Sequence, residues 1–258
     1  MLKHLSLLFA LCSILLASSC LGDLNPDEES PCLPDNLRTL YENDAIRLAL
    51  RLQQNSAFAN DIQIPSNSIE RLQIALAAVH QSKIDERDSV ISNYQIHTLP
   101  YPVFDELTVE IDTTQAWTQA WRNGSRLTGN NDIDNLLLAY GLQLDGYFSL
   151  SNNFVILTTT DHEALNLAAL AARFEAVNGV LGTDFEDTGS GGNDITVQDF
   201  GTYALFAYTV GYDVATAPNA CNGACEFSRT WTFKVTFAND EVSCPIVEFV
   251  SASGDPAP

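Results

Sequence analysis

Positive charge is what this chain of 258 residues has least of: 12 Lys and Arg stand against 33 Asp and Glu, a formal net charge of -21. Contacts to phosphate require Lys and Arg, so nucleic acid and anionic membrane surfaces are disfavoured as partners. Signatures of familiar chemistry are missing as well. There is no Walker sequence, no Gly-x-Gly-x-x-Gly after a strand, no His-Glu-x-x-His and no Gly-x-Ser-x-Gly elbow. His80, His97 and His162 are scattered, which argues against a preformed soft-metal site. Carboxylates are so frequent that choosing two as a glycosidase pair is arbitrary. The longest apolar run, Leu5–Leu16, falls short of the roughly 20 residues needed to cross a bilayer. No internal repeat is present. These absences argue against an enzyme, while a hydrophobic content of 46% provides for a packed core and excludes global disorder.

The first residues are the most informative. Lys3 precedes the apolar run, and Leu15-Leu16-Ala17-Ser18-Ser19 leads into Cys20. This stretch resembles the lipobox of bacterial lipoproteins. The resemblance implies a signal peptide over 1–19, a palmitate-type acyl anchor on Cys20 and a tether over 20–35. Leu21 and Gly22, with no Asp after the cysteine, resemble the pattern of lipoproteins sent to the outer membrane. Asp27-Glu28-Glu29 resembles the surface-export signals of Bacteroidota-type lipoproteins, and the same charges also suit a solvated tether. Ordinary signal-peptidase cleavage before Cys20 is the competing reading. Cysteine parity favours lipidation: with Cys12 removed and Cys20 acylated, Cys32, Cys221, Cys225 and Cys244 form an even set suited to an oxidising compartment.

The fold class expected is α+β: N-terminal helices, a βαββαβ unit, then an antiparallel β meander. In the helical segment, 36–102, Asn43 is placed to cap a helix over Asp44–Gln53. Pro65 and Ser66 introduce a second helix with Ile69, Leu72, Leu76 and Val79 inward and Glu70, Arg71 and Gln73 outward. Lys83–Asp88 reads as a loop, and Val90–Thr98 as a weakly patterned strand stopped by Pro100 and Pro102.

Over 103–187 the order is clearer. Leu107, Val109 and Ile111 alternate with Glu106, Thr108 and Glu110, the pattern of a half-buried strand. Trp117 and Trp121 lie one helical turn apart, Ile133, Leu136, Leu137 and Tyr140 share a helix face, and Gly141 is placed to end that helix. Gly129-Asn130-Asn131-Asp132 suits helix capping before Ile133. Leu142, Leu144, Phe148 and Leu150 alternate as a second strand, turned at Asn152-Asn153 into a third over Phe154–Thr159. Asp161 is placed to cap a helix with Leu167, Leu170, Phe174 and Val177 inward, stopped at Asn178-Gly179 before a fourth strand, Val180–Phe185. This succession is that of ferredoxin-like domains. The small-residue-rich helix running into Asn178-Gly179-Val180 resembles the inhibitory propeptides of subtilisin-type proteases, which implies a protease-inhibitor-like module.

Residues 188–194, with Gly189-Ser190-Gly191-Gly192, read as a linker, and 195–258 as the meander with a disulfide loop. Tyr203–Tyr212 is apolar on both faces. Trp231, Phe233, Val235 and Phe237 alternate with threonines, and Val242–Val250 returns with Pro245 marking an edge or bulge. The favoured disulfides are Cys221–Cys225 and Cys32–Cys244; the alternative joins Cys225 to Cys244. Asp184, Glu186, Asp187, Asn193 and Asp194 are the oxygen-rich candidates for calcium, against a plain solvated linker. No other cofactor is expected. Tyr208, Tyr212 and Trp231 are candidates for an aromatic binding surface, although the spacings of Trp117, Trp121 and Trp231 favour core packing. The functional expectation is an exported, outer-membrane-anchored accessory or binding lipoprotein whose partner is a protein, peptide or glycan. A hydrolase with an unrecognised site is a further alternative.

Overall fold

The computed structural model describes residues 31–98, 106–149, 152–159, 164–185, 192–212, 225–238 and 243–255. The expected tether end, Cys20 and Cys221 divide accordingly: Cys20 and Cys221 lie outside the described residues, while Cys32 and Leu33 are already buried. The folded unit therefore begins at Cys32, ahead of the expected boundary at 35.

The first helix, α1, runs over Asp35–Gln54. It starts after Pro34, whose carbonyl accepts from Leu37 and Arg38, and Asp35 in the first turn complements the helix dipole. The expected cap Asn43 thus sits inside the helix. The long buried stripe Leu37, Tyr41, Asp44, Leu48 explains why: its i, i+4, i+7, i+11 spacing is continuous through Asn43. Helix α2, Ser66–Gln81, follows as expected, except that Gln73 is buried and donates to the Arg38 carbonyl. Asp85–Asp88 forms a single helical turn, α3, and Ser89–Asn93 a π-helical turn, replacing the expected loop and the start of the expected strand.

Two four-stranded antiparallel sheets follow. The first contains β1 (Glu106–Ile111), β2 (Leu142–Ser149), β3 (Asn153–Thr159) and β4 (Val180–Asp184) in the spatial order β2-β3-β1-β4. Helices α4 (Thr118–Arg122) and α5 (Asn131–Ala139) connect β1 to β2, and α6 (Leu167–Glu175) connects β3 to β4. Both connections skip a strand, which is the split βαβ arrangement. Leu107, Val109, Ile111, Val155, Leu157, Trp121, Leu170 and Phe174 fill its core. Each such side chain, fully buried, contributes about 1.5–3 kcal/mol. Within the expected capping segment it is Asn130 that caps α5, and Gly141 leaves the helix with φ +62°, the left-handed conformation that favours glycine. Two readings change. A bulge between Leu144 and Gly146 reverses the parity of β2, so Tyr147 faces the core and Phe148 the opposite face, where it stacks on Phe154. Asn166, not Asp161, caps α6, accepting from the Ala169 amide; Asp161 lies outside the described residues.

The second sheet is a meander as expected, with one strand that the residue pattern did not reveal, β5 (Asn193–Asp199), ahead of β6 (Tyr203–Tyr212), β7 (Phe227–Thr236) and β8 (Ile246–Gly254), in sequential order. Asn193 and Asp194, expected in the linker, already belong to β5. Pro245 immediately precedes the edge strand β8, where its missing N–H costs no ladder bond. Helices α1 and α2 share one core with this sheet, through Leu48, Leu76, Val79, Phe206, Phe233 and Val235. Two arginines hold the edge strand β5. Arg51 of α1 donates to Asp194 Oδ1 at 3.0 Å and to the Ile195 carbonyl at 2.8 Å, and Arg71 of α2 pairs with Asp199. The disulfide Cys32–Cys244 joins the start of the folded unit to the approach to β8. Closing a span of 212 residues restrains the unfolded chain by about 5 kcal/mol in the loop-entropy account.

Candidate functional site

A chain of polar side chains crosses the helix-covered core. Asp44 is fully buried on α1. Its Oδ2 accepts from His97 Nδ1 at 2.6 Å, and its Oδ1 accepts from the Thr98 amide at 2.6 Å and the Thr98 hydroxyl at 2.5 Å. One helical turn earlier on α1, Tyr41 Oη lies 2.9 Å from His80 Nδ1 at the end of α2. The Tyr41 ring stands between the two imidazoles, with centroids 5.8 Å from His80 and 5.7 Å from His97. Arg87 Nε donates to the His80 carbonyl at 2.8 Å.

The electrostatics follow from burial. Desolvation, reinforced by the Asp44 carboxylate, pushes the Tyr41 phenol far above its ordinary value, against a smaller opposing effect of Arg87. His80 moves the other way, lowered by burial, then by Arg87 and His97. Tyr208, fully buried, is raised by desolvation, Tyr41 and Asp44, and its hydroxyl has no hydrogen-bond partner among the described residues. The phenols therefore stay protonated, and His80 favours its neutral form.

Both imidazoles line a cavity of about 310 Å³ whose other walls are Leu40, Tyr41, Val90, Ile91, Gln95 and Ile96. Val90 and Ile91 come from the π-helical turn, and Gln95 has φ +47°. A π turn and a left-handed non-glycine residue are both uncommon, and both occur at this wall. No family model matches the chain, and no curated protein or solved structure is recognisably similar to it.

The residues singled out in the sequence lie elsewhere. Tyr208 and Trp231 are 0% and 3% exposed, so they belong to the core and not to a solvent-facing aromatic surface. Alternation along β6 and β7 places them toward α1 and α2, and Trp231 packs on Tyr94. The side chain of Tyr212 lies outside the described residues. Among the described residues, aromatic pairs with both rings exposed or half-buried are instead Phe148–Phe154 and Phe200–Tyr203. Cys225 is disulfide-bonded, and since Cys244 is joined to Cys32 the alternative pairing Cys225–Cys244 is overturned. Of the oxygen-rich segment, Asp184 ends β4, Asn193 is buried, and Asp194 is paired with Arg51; Glu186 and Asp187 lie outside the described residues. Among the described residues no three His, Cys, Asp or Glu side chains group to hold a metal ion.

The Asp44–His97 and Tyr41–His80 pairs escaped the sequence reading because their partners are 53 and 39 residues apart. One signal was available: Asp44 occupies an apolar position in the stripe Leu37, Tyr41, Leu48. A carboxylate there has to find partners inside the fold.

Proposed function

We propose that the chain is an exported binding protein, anchored in the outer membrane through acylated Cys20 and holding a protein, peptide or glycan. The observation that supports this reading is the oxidised state of Cys32, Cys244 and Cys225, which suits a compartment outside the cytosol. The Cys32–Cys244 bond lies shortly after the proposed anchor and fastens that point of the chain to the second sheet. With Tyr208 and Trp231 in the core, contact with a macromolecular partner falls to exposed apolar residues such as Phe148, Phe200 and Val250. Expression of the full chain in a Bacteroidota host with labelled palmitate tests the anchor. The intact chain takes up label and follows the detergent phase, and Cys20→Ala loses both properties. An unlabelled, water-soluble intact chain refutes it.

A protease-inhibitor-like role is the second reading, favoured by the strand order β2-β3-β1-β4. The arrangement hosts many unrelated activities, so the order alone speaks to fold. Failure of the purified chain to slow any of a panel of extracellular serine proteases removes that reading.

A further inference from the structure

We propose that the open edge of β8 binds an extended peptide segment as a further strand, one whose residues alternate between apolar and basic. This deepens the reading of the chain as a binding protein and rests on it. Strand edges present rows of unpaired N–H and C=O groups, which proteins normally shorten, charge or cover. The other sheet edges are protected in these ways. β4 has only five residues. Arg126 Nε donates to the Leu142 carbonyl at the start of β2, at 2.7 Å, and Arg51 and Arg71 hold β5. β8 is different. It runs for nine residues, and among the described residues only β7 pairs with it. Ile246 and Val250 are 67% and 52% exposed, and residues 251–254 are exposed in succession. No Lys, Arg or Pro interrupts Ile246–Gly254.

The ladder identifies which backbone groups face outward. The Asp255 amide donates to the Ser228 carbonyl at 2.9 Å, which makes these two residues a hydrogen-bonded pair. Such pairs alternate with non-bonded ones along an antiparallel ladder. Ser253 and Ser251 therefore bond to β7, and the N–H and C=O of Ala252 point away from it. A bulge with Val250 as its extra residue separates this arm from residues 246–249. Any extended backbone satisfies such a row, and side chains then select among partners. On one face of the edge Val247 and Phe249 are half-buried against the core, which suits an apolar residue at every second position of an added strand. On the other face stands Glu248, paired with Lys234 at 3.1 Å, and Asp255 follows the strand. No Lys or Arg occurs after Lys234, and the whole chain carries a formal charge of -21. That field attracts a basic peptide and repels a second copy of the chain.

The test uses the full chain and synthetic peptides matching β8 in length. The first alternates lysine and valine, the second is the same peptide methylated at every backbone nitrogen, and the third has glutamate in place of lysine. The lysine–valine peptide is expected to bind saturably and to slow hydrogen exchange of the Ala252 amide, read by NMR. The methylated and glutamate peptides are expected to bind at least about tenfold more weakly, since one hydrogen bond is worth up to about that factor. Ala252→Pro removes an outward donor without removing a bond to β7, and is expected to weaken binding of the first peptide by about tenfold. If that variant fails to fold, the intact chain still decides through the peptide comparison. Equal binding of the methylated or the glutamate peptide, or an unchanged Ala252 amide at saturation, overturns the proposal. A peptide-free dimer that protects the Ala252 amide also overturns it, by making a second copy the occupant. Palmitate uptake is read separately, so absent peptide binding with labelling intact discards this edge while the anchored protein stands.

Discussion

The helix α5 of one core and the helices α1 and α2 of the other hold their polar side chains in different ways. In the βαββαβ half the partners around α5 are neighbours in sequence, whereas Asn166 of α6 also reaches the remote Ala59 and Asp61 carbonyls. Asn130 accepts from Asp132, and Asp134 accepts from the Thr128 amide, the Thr128 hydroxyl and the Gly129 amide, all within six residues. In the half formed by α1, α2 and the meander the partners are remote: Asp44 with Thr98, Tyr41 with His80, Arg51 with Asp194 and Arg71 with Asp199. A local cap forms with its own helix and adds a small increment. A remote buried pair forms only once the whole core has assembled, and losing one partner strands the other without water.

That contrast can be broken by substitution. The largest effect is expected at Asp44. Asp44→Ala leaves the Thr98 amide and His97 Nδ1 without their acceptor, at a cost of about 3–5 kcal/mol. Urea unfolding measures it, and a loss below about 1 kcal/mol would erase the distinction between the two halves. Asn130→Ala removes only a cap and is expected to cost about 1 kcal/mol by the same measurement. A loss as large as that at Asp44 would show that the βαββαβ half is equally dependent on single polar groups.

A smaller effect comes from pH. His80 is depressed from its ordinary value of 6.5, so the unfolded chain binds its proton more readily than the folded one. The associated stability is therefore complete above pH 6.5 and declines as pH falls from there toward the folded-state value. Unfolding curves for the intact chain and His80→Gln, compared on either side of pH 6.5, should diverge on acidification, with the intact chain losing more. Parallel curves would show that His80 is not held neutral by burial, Arg87 and His97.

Much of the architecture was legible in the residue pattern, and the errors have physical causes. Alternation in Leu107, Val109 and Ile111 and in Trp231, Phe233 and Val235 reports one buried face, so β1 and β7 were correctly anticipated. The bulge in β2 was invisible, because an inserted residue changes parity without changing composition. The cap of α6 was misplaced to Asp161, since an Asp or Asn before an apolar run is equally apt at several positions. Asn166 prevails through further bonds to the Ala59 and Asp61 carbonyls, which no local pattern contains. Trp231 was legible as a core residue from its alternation with threonine and lysine, whereas Tyr208 was not, because both faces of β6 are apolar.

By itself the sequence determined the α+β class, the split order of the first sheet, the meander and the acidity of the chain. These properties depend on periodicity, turn chemistry and net charge, all of which are local or additive. Only the tertiary structure decided that α1 and α2 share a core with the last four strands, and it bore out the favoured pairing of Cys32 with Cys244. It alone brought His80 and His97 to the walls of one cavity around Tyr41. Those contacts join residues far apart in the chain, and their partners are selected by the shape and burial of a core that exists only after folding.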